Sequence, residues 1–490
     1  MNRPLRKVAI GCLLLFGLLL VNVNYVQVVK AGDYRDDPRN SRVLLRTYEQ
    51  PRGPIAVVDA ERGRTAIAES TRTDGPLTYL RTYPGGAPYA HITGFYSFIY
   101  GRTGLERSQD RVLSGEDDRL FVTRLSDIVT GREPEGGSIV LTLDPAAQQA
   151  AYDALASRGL RGSVVAIDPR TGAVLAMVST PSYDPSRLSS FDAAQVRSYY
   201  DELNGASDDP LLNRAIARTY PPGSTFKVVT AAAALESGEV TAETQLPSPR
   251  ELDLPQTDRN LRNFGGGACT GETSTLADAL RISCNTAFAA LGLQLGQDRL
   301  REQAEAFGFG DDSLAVPTPV STSVFPTDLS PPSLAQSAIG QFDVRVTPLQ
   351  MAMVAGGIAN GGEVMKPYLT REVQAPDLSL LDRAEPEVYR RAISPEVAAE
   401  LTRMMELVVT DGSATRAQID GVAVAAKTGT AQHAEGRPPH AWFIGFAPAD
   451  DPQVAIAVVI EDGGDAGSEA TGGRLSAPIA RDVMRAVLRR

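Results

Sequence analysis

The feature that most constrains this chain lies at its start. Residues 8–21 (VAIGCLLLFGLLLV) form an unbroken apolar run, preceded by Arg3, Arg6 and Lys7 and followed by the half-polar stretch 22–30. The basic flank keeps the N-terminal tip in the cytoplasm. So short a run falls in the range of a signal-peptide core, but NVNYVQVVKAG, which follows it, holds no small-x-small cleavage site. The reading is an uncleaved single-pass signal anchor, with everything from about residue 31 outside the cytoplasm. That compartment permits disulfides. With Cys12 inside the anchor, Cys269 and Cys284 are the remaining cysteines. Sequence leaves a bridge and two buried thiols equally open, because bridging depends on Cα separation.

The 490 residues leave room for about three globular units, which excludes a small disulfide-stapled module. Net charge is −11, with no basic run beyond the first seven residues, so a nucleic-acid partner has no electrostatic footing. The organisation read from the pattern is a tip and anchor over 1–30, a strand-rich non-catalytic module over 31–155 and a second domain over 156–490. In the first module RGPIAVVDAERGRTAIAES alternates at strand period around a DAERG turn, and EGGSIVLTLD reads as a further strand. Asp144 and Pro145 then open an Ala-rich helix. In the second domain GSVVAIDPRTGAVLAMVS is a hairpin, GVAVAAKTGTAQ is a strand, and AWFIGFAP with QVAIAVVIED is another hairpin. A Gly-rich loop, GGDAGSEATGG, precedes a closing helix over 476–490 with Pro478 near its start. Strands from both ends of the domain with helical patterns between them predict an α+β fold, one antiparallel sheet with helices packed against it.

Three short segments could carry chemistry. TYPPGSTFKVVTAAAALESG runs a Pro-Pro-Gly turn into a helix with Ser224 and Lys227 in its first turn, three apart and therefore on one face. A serine needs a base, and a lysine in a buried pocket can be that base when neutral. In ALRISCNTAFAALG, Ser283 can relay a proton and the Asn285 amide can hold a peptide group, although both residue types are also ordinary helix caps. In Lys427-Thr428-Gly429-Thr430 the glycine lets a ligand backbone approach the strand edge, and the lysine and hydroxyls can bind a carboxylate. Lysine is scarce here, with five against 43 arginines, so each survivor is a candidate base, Lys366 included. His91, His433 and His440 are too scattered to read as a metal site and are taken as non-catalytic; no metal and no cofactor are called for.

Ser-x-x-Lys, Ser-x-Asn and Lys-Thr-Gly in this order are the signature set of the penicillin-interacting serine enzymes. The wider chain resembles class B penicillin-binding proteins of actinobacterial type, through RGPI at 52–55, YGRTGLE at 100–106, GSVVAIDPRTGAVLAMVSTPSYDP, LLNRAIARTYPPGSTFK and AIGQFDVRVTPLQMA at 338–352. The resemblance implies a serine β-lactamase-like transpeptidase domain behind a dimerisation or pedestal-like module. It implies a D,D-transpeptidase acting on peptidoglycan stem peptides (D-Ala-D-Ala) and acylated by β-lactams. In that reading Ser224 is the nucleophile and Lys227 its base. Ser283, bonded to Lys227 and Lys427, passes the proton on, and Asn285 binds the substrate peptide. Lys427, Thr428 and Thr430 surround its carboxylate, and the Ser224 and Thr430 N–H groups form the oxyanion hole. A membrane glycan polymerase and division or elongation proteins are the partners it implies. About 125 residues before the catalytic domain are too few for a glycosyltransferase, so a monofunctional enzyme is expected. Two positions are singled out: Phe342 follows Gly340-Gln341 where the family often has glycine, so the turn is expected to differ, and the Cys284 side chain is expected to point away from the pocket, within reach of Cys269.

A β-lactamase reading is weakened because no Glu-x-x-Leu-Asn follows Asn285 to supply its base. A D,D-carboxypeptidase, and a non-enzymatic β-lactam sensor or division scaffold, are the alternatives left.

Overall fold

The computed structural model describes residues 2–30 and 47–489, apart from 60, 61, 76, 122–130, 132, 264, 265 and 317. Part of the expected N-terminal module (31–46) and the centre of its DAERG turn therefore lie outside the described residues. The expected anchor is helix α1 (Asn2–Asn24), and the span Arg3–Val29 is long and apolar enough to cross a membrane, which fits an anchor.

In chain order the strands that matter are β1 (Ile55–Asp59), β2 (Gly63–Arg72), β3 (Tyr79–Thr82), β4 (Ser138–Leu141), β5 (Gly162–Ile167), β6 (Val174–Thr180), β7 (Thr370–Gln374), β8 (Leu380–Arg383), β9 (Ala425–Ala431), β10 (His440–Ala447) and β11 (Val454–Ile460). The helices are α2 (Pro145–Ala156), α3 (Lys227–Glu236), α4 (Leu276–Arg281), α5 (Asn285–Leu295), α6 (Pro348–Ala359), α7 (Pro395–Asp411) and α8 (Gly472–Leu488). Helix α2 begins where the sequence predicts: the Asp144 carboxylate accepts from the N–H groups of Ala146 and Ala147 at 2.9 and 3.0 Å, with Pro145 at the first helical position.

The central sheet has the order β9-β10-β11-β5-β6 and is antiparallel throughout. Every residue of β10 and β11 is buried, so both faces are covered, which is why these strands read as continuous apolar runs. The apolar helix α6 packs on β11, β5 and β10, while α2 and α8 pack on each other and on the sheet. Strand β9 is an edge: it pairs with β10 on one side only, and it packs against the turn that leads into α3 and against α7.

Two features depart from the sequence reading. The N-terminal sheet runs β8-β7-β4-β1-β2-β3, so two of its six strands come from within 156–490. Nothing local in 370–383 marks that destination, because pairing of β7 with β4 is set by distant chain. The closing helix also starts at Gly472 instead of 476, leaving Pro478 inside it. Thr471 caps it by accepting from Arg474 N–H at 3.2 Å. A Cβ at position 472 would lie 1.9 Å from the Trp442 carbonyl oxygen, so only glycine lets this helix end abut β10.

Candidate active site

The nucleophile turn follows directly from local sequence. Pro221 and Pro222 cannot continue a helix, Gly223 adopts a positive φ of 53°, and a single 3-10 turn over Gly223–Phe226 feeds α3. A Cβ on Gly223 would come within 2.8 Å of the Thr430 carbonyl, and one on Gly429 within 2.9 Å of the Pro222 carbonyl. The two glycines thus allow backbone-to-backbone contact between this turn and β9, which brings Ser224 and Thr430 to one end of the same cleft.

Lys227 is completely buried at the start of α3. Its Nζ donates to the Ser283 carbonyl at 2.7 Å and to Asn285 Oδ1 at 2.8 Å, and lies 3.3 Å from Ser283 Oγ. When the amine is neutral it has two hydrogens, which the Ser283 carbonyl and Asn285 Oδ1 can accept, so its lone pair is directed to a hydroxyl such as that of Ser283. Burial drives the Lys227 amine well below its ordinary value, and the nearby charge of Lys427 drives it in the same direction. Lys427, equally buried, is pushed down to about 7 by desolvation. Its Nζ donates to the Thr428 carbonyl at 3.0 Å, and this is where the structure differs from the Ser283 partner the family pattern implied.

Ser224, Ser283, Asn285, Thr428, Gly429 and Thr430 line one cavity of about 940 Å³. The short α4–α5 connection places the second motif, with Ser283 at a positive φ of 63°. Cys269 and Cys284 form a disulfide with a Cα separation of 5.9 Å, so Cys284 does reach Cys269 as expected, and both residues border the cavity. Phe342 holds a φ of 60°, the left-handed conformation glycine would take, so the bulky residue keeps the glycine-like backbone.

Other expectations fall away from the cleft. Lys366 is half-exposed and paired with Glu387 at 2.9 Å, an ordinary surface ion pair. His91 is half-buried, with Nε2 2.8 Å from the Pro210 carbonyl. His433 and His440, seven residues apart, stack at 3.9 Å beside Asp462. Arg161 and Arg437 already hold that carboxylate, and Asp462 N–H donates to His440 Nδ1, which is the opposite of what a dication requires.

Two contributors escaped the sequence reading. Asn263 Oδ1 accepts from the N–H groups of Asn285 and Thr286 at 2.7 and 3.2 Å, capping α5 from a distant loop. The signal was there, because Cys284 at the N-cap makes no side-chain cap. Ser413, beyond the end of α7, shares a hydrogen bond with the Thr428 hydroxyl in the cavity wall.

An edge strand, a serine at the head of a helix and a buried lysine one turn on define an active-site-serine enzyme of the penicillin-interacting class. The chain belongs to the class B penicillin-binding proteins: residues 162–485 match the family described as penicillin binding protein transpeptidase domain, and residues 52–139 that described as penicillin binding protein A dimerisation domain. It is 48% identical to the peptidoglycan D,D-transpeptidase PbpA of Mycolicibacterium smegmatis, over 100% of this chain and 99% of that protein. The PbpA of Mycobacterium tuberculosis is 45% identical with the same coverage. Penicillin-binding protein A from M. tuberculosis, solved as a ceftriaxone acyl-enzyme complex, superposes with a TM-score of 0.87 at 43% identity, covering 91% of this chain and 100% of that one. PBP2 of Pseudomonas aeruginosa gives 0.72 at 30% identity, covering 89% and 95%.

Proposed function

We propose that this protein is a serine D,D-transpeptidase that cross-links peptidoglycan stem peptides and is acylated by β-lactams. Ser224 attacks the penultimate D-alanyl carbonyl while Lys227 takes its proton, and Ser283 passes a proton to the departing D-alanine. Asn285 holds the substrate peptide, and Lys427, Thr428 and Thr430 hold its terminal carboxylate against the open side of β9. The N–H groups of Ser224 and Thr430 stabilise the oxyanion, where each such donor is worth about 3–4 kcal/mol. The observation that carries this reading is the buried Lys227 amine, within hydrogen-bond distance of the Ser283 carbonyl, the Ser283 hydroxyl and Asn285 Oδ1, one turn after Ser224. The basic flank Arg3, Arg6 and Lys7 orients the N-terminal tip to the cytoplasm and the catalytic domain outside. There the enzyme works beside a membrane glycan polymerase and division or elongation proteins.

The test is intact mass of the purified protein over time after adding benzylpenicillin, with Ser224→Ala in parallel. A stable adduct absent from the variant is the expected result. An adduct that decays within minutes would make the protein a β-lactamase, and an unmodified, folded wild type would overturn the assignment.

A further inference from the structure

A second set of buried polar groups lies behind the nucleophile turn and does not line the cavity. Glu461, just past the end of β11, is 3% exposed. Its Oε1 accepts from the Tyr220 hydroxyl at 2.7 Å and from Arg214 Nε at 2.9 Å. Arg214 is fully buried and spends a second donor on the Asp209 carbonyl at 3.0 Å. Burial opposes ionisation of Glu461, but the Tyr220 hydroxyl and the Arg214 and Arg218 guanidiniums outweigh it and hold the carboxyl below its usual range. An ion pair this buried is a poor source of stability, since apolar packing serves as well or better, so its presence calls for a positional reason.

The backbone supplies that reason. Tyr220 exchanges two hydrogen bonds of 2.9 Å with Val346, Trp442 Nε1 donates to the Pro221 carbonyl at 3.0 Å, Thr225 Oγ1 donates to the Pro222 carbonyl at 2.8 Å, and Gly223 N–H donates to Gly340 at 2.9 Å. The Tyr220 ring also packs edge-on against Trp442, with centroids 6.0 Å apart. Every residue from Tyr220 to Gly223 is thus tied, and among the described residues the hydrogen bond from this turn to a charged side chain runs from the Tyr220 hydroxyl to Glu461, while the Arg218 guanidinium lies over the same ring at 5.8 Å.

We propose that Glu461 is a positioning residue for the acylation step: through the Tyr220 hydroxyl it fixes the Tyr220–Gly223 turn and so holds Ser224 level with the β9 backbone. This rests on Ser224 being the nucleophile. Small displacements of a reacting atom lower rates steeply, whereas ligand capture by the rest of the cleft is unaffected.

The test uses the full-length protein and benzylpenicillin at varied concentration, separating the acylation rate constant k2 from the pre-covalent dissociation constant, with melting temperature alongside. Tyr220→Phe keeps the ring and removes only the hydroxyl. It is expected to lower k2 roughly 10- to 100-fold while the dissociation constant stays within about twofold. The double variant Tyr220→Phe/Glu461→Gln is expected to lose no more k2 than the worse single variant, because both break one link. Leu155→Ala, in the core of α2, is the control: it lowers melting temperature with k2 unchanged. Unchanged k2 in Tyr220→Phe overturns the proposal, as do losses that multiply in the double variant. If Glu461→Gln does not fold, Tyr220→Phe alone decides. Failure of the underlying reading shows separately, as a wild type that is not acylated or a Ser224→Ala variant that is.

Discussion

Two buried amines share one cleft and are asked for opposite things. In the proposed roles, Lys227 can act as a base only when neutral, whereas Lys427 can hold a carboxylate only when charged. Desolvation pushes both down, Lys427 to about 7. The second-order rate of acylation by benzylpenicillin is therefore expected to rise with pH as Lys227 loses its proton. It should fall again as Lys427 loses its own, near neutrality in the free protein. Lys427→Arg keeps its charge at every pH, so the alkaline fall should vanish in that variant. A fall that persists unchanged would assign it to another group. Lys227→Arg, which cannot serve as a base, is expected to reduce acylation by roughly 10²- to 10⁴-fold at every pH, measured by adduct mass. The motif lysines stand out in sequence by company as much as by type: Lys366 is equally rare, and only its exposure beside Glu387 separates it from them.

At the scale of elements, the cleft depends on helix ends that are completed from elsewhere. Helix α5 carries Asn285 but has no side-chain cap of its own, and Asn263 supplies one across the chain. Asn263→Ala is expected to cost about 1 kcal/mol of stability, read in denaturant titration. It should also slow acylation, because the Asn285 amide that orients Lys227 loses its anchor. Normal acylation in that variant would show that the remaining ties, the disulfide and the bond from Asn285 Nδ2 to the Arg262 carbonyl, hold the loop. The hairpins and α2 were legible because their turns and caps are local chemistry. The start of α8 was not, since a proline near the first turn is the stronger local signal, and only the closeness of the Trp442 carbonyl to Gly472 and of the Ser413 carbonyl to Gly473 shows why two glycines lead the helix.

At the scale of the molecule, the N-terminal sheet holds a buried charge cluster of its own. Glu106 is fully buried and binds Arg81 Nε at 2.6 Å and Arg52 Nε at 3.0 Å, while Arg52 also reaches Asp110 at 2.8 Å. Removing the carboxylate leaves the buried Arg81 guanidinium without a counter-charge and Arg52 with Asp110 alone, so Glu106→Gln is expected to cost ~3–5 kcal/mol in denaturant titration. Because β7 and β8 complete this sheet from inside the transpeptidase region, the two parts are expected to unfold together. Circular dichroism and the fluorescence of the single tryptophan, Trp442 on β10, should then report one midpoint, whereas separate midpoints would show independent modules. What the sequence determined by itself was the apolar N-terminal helix, the α+β pattern and the three motifs, because each is written in residues close together along the chain. Tertiary structure decided that Lys227 is desolvated, that Asn263 caps α5, that Glu461 stands behind the nucleophile turn and that β7 and β8 join the first sheet. All four are contacts between distant segments, and burial and distance exist only once the chain has closed on itself.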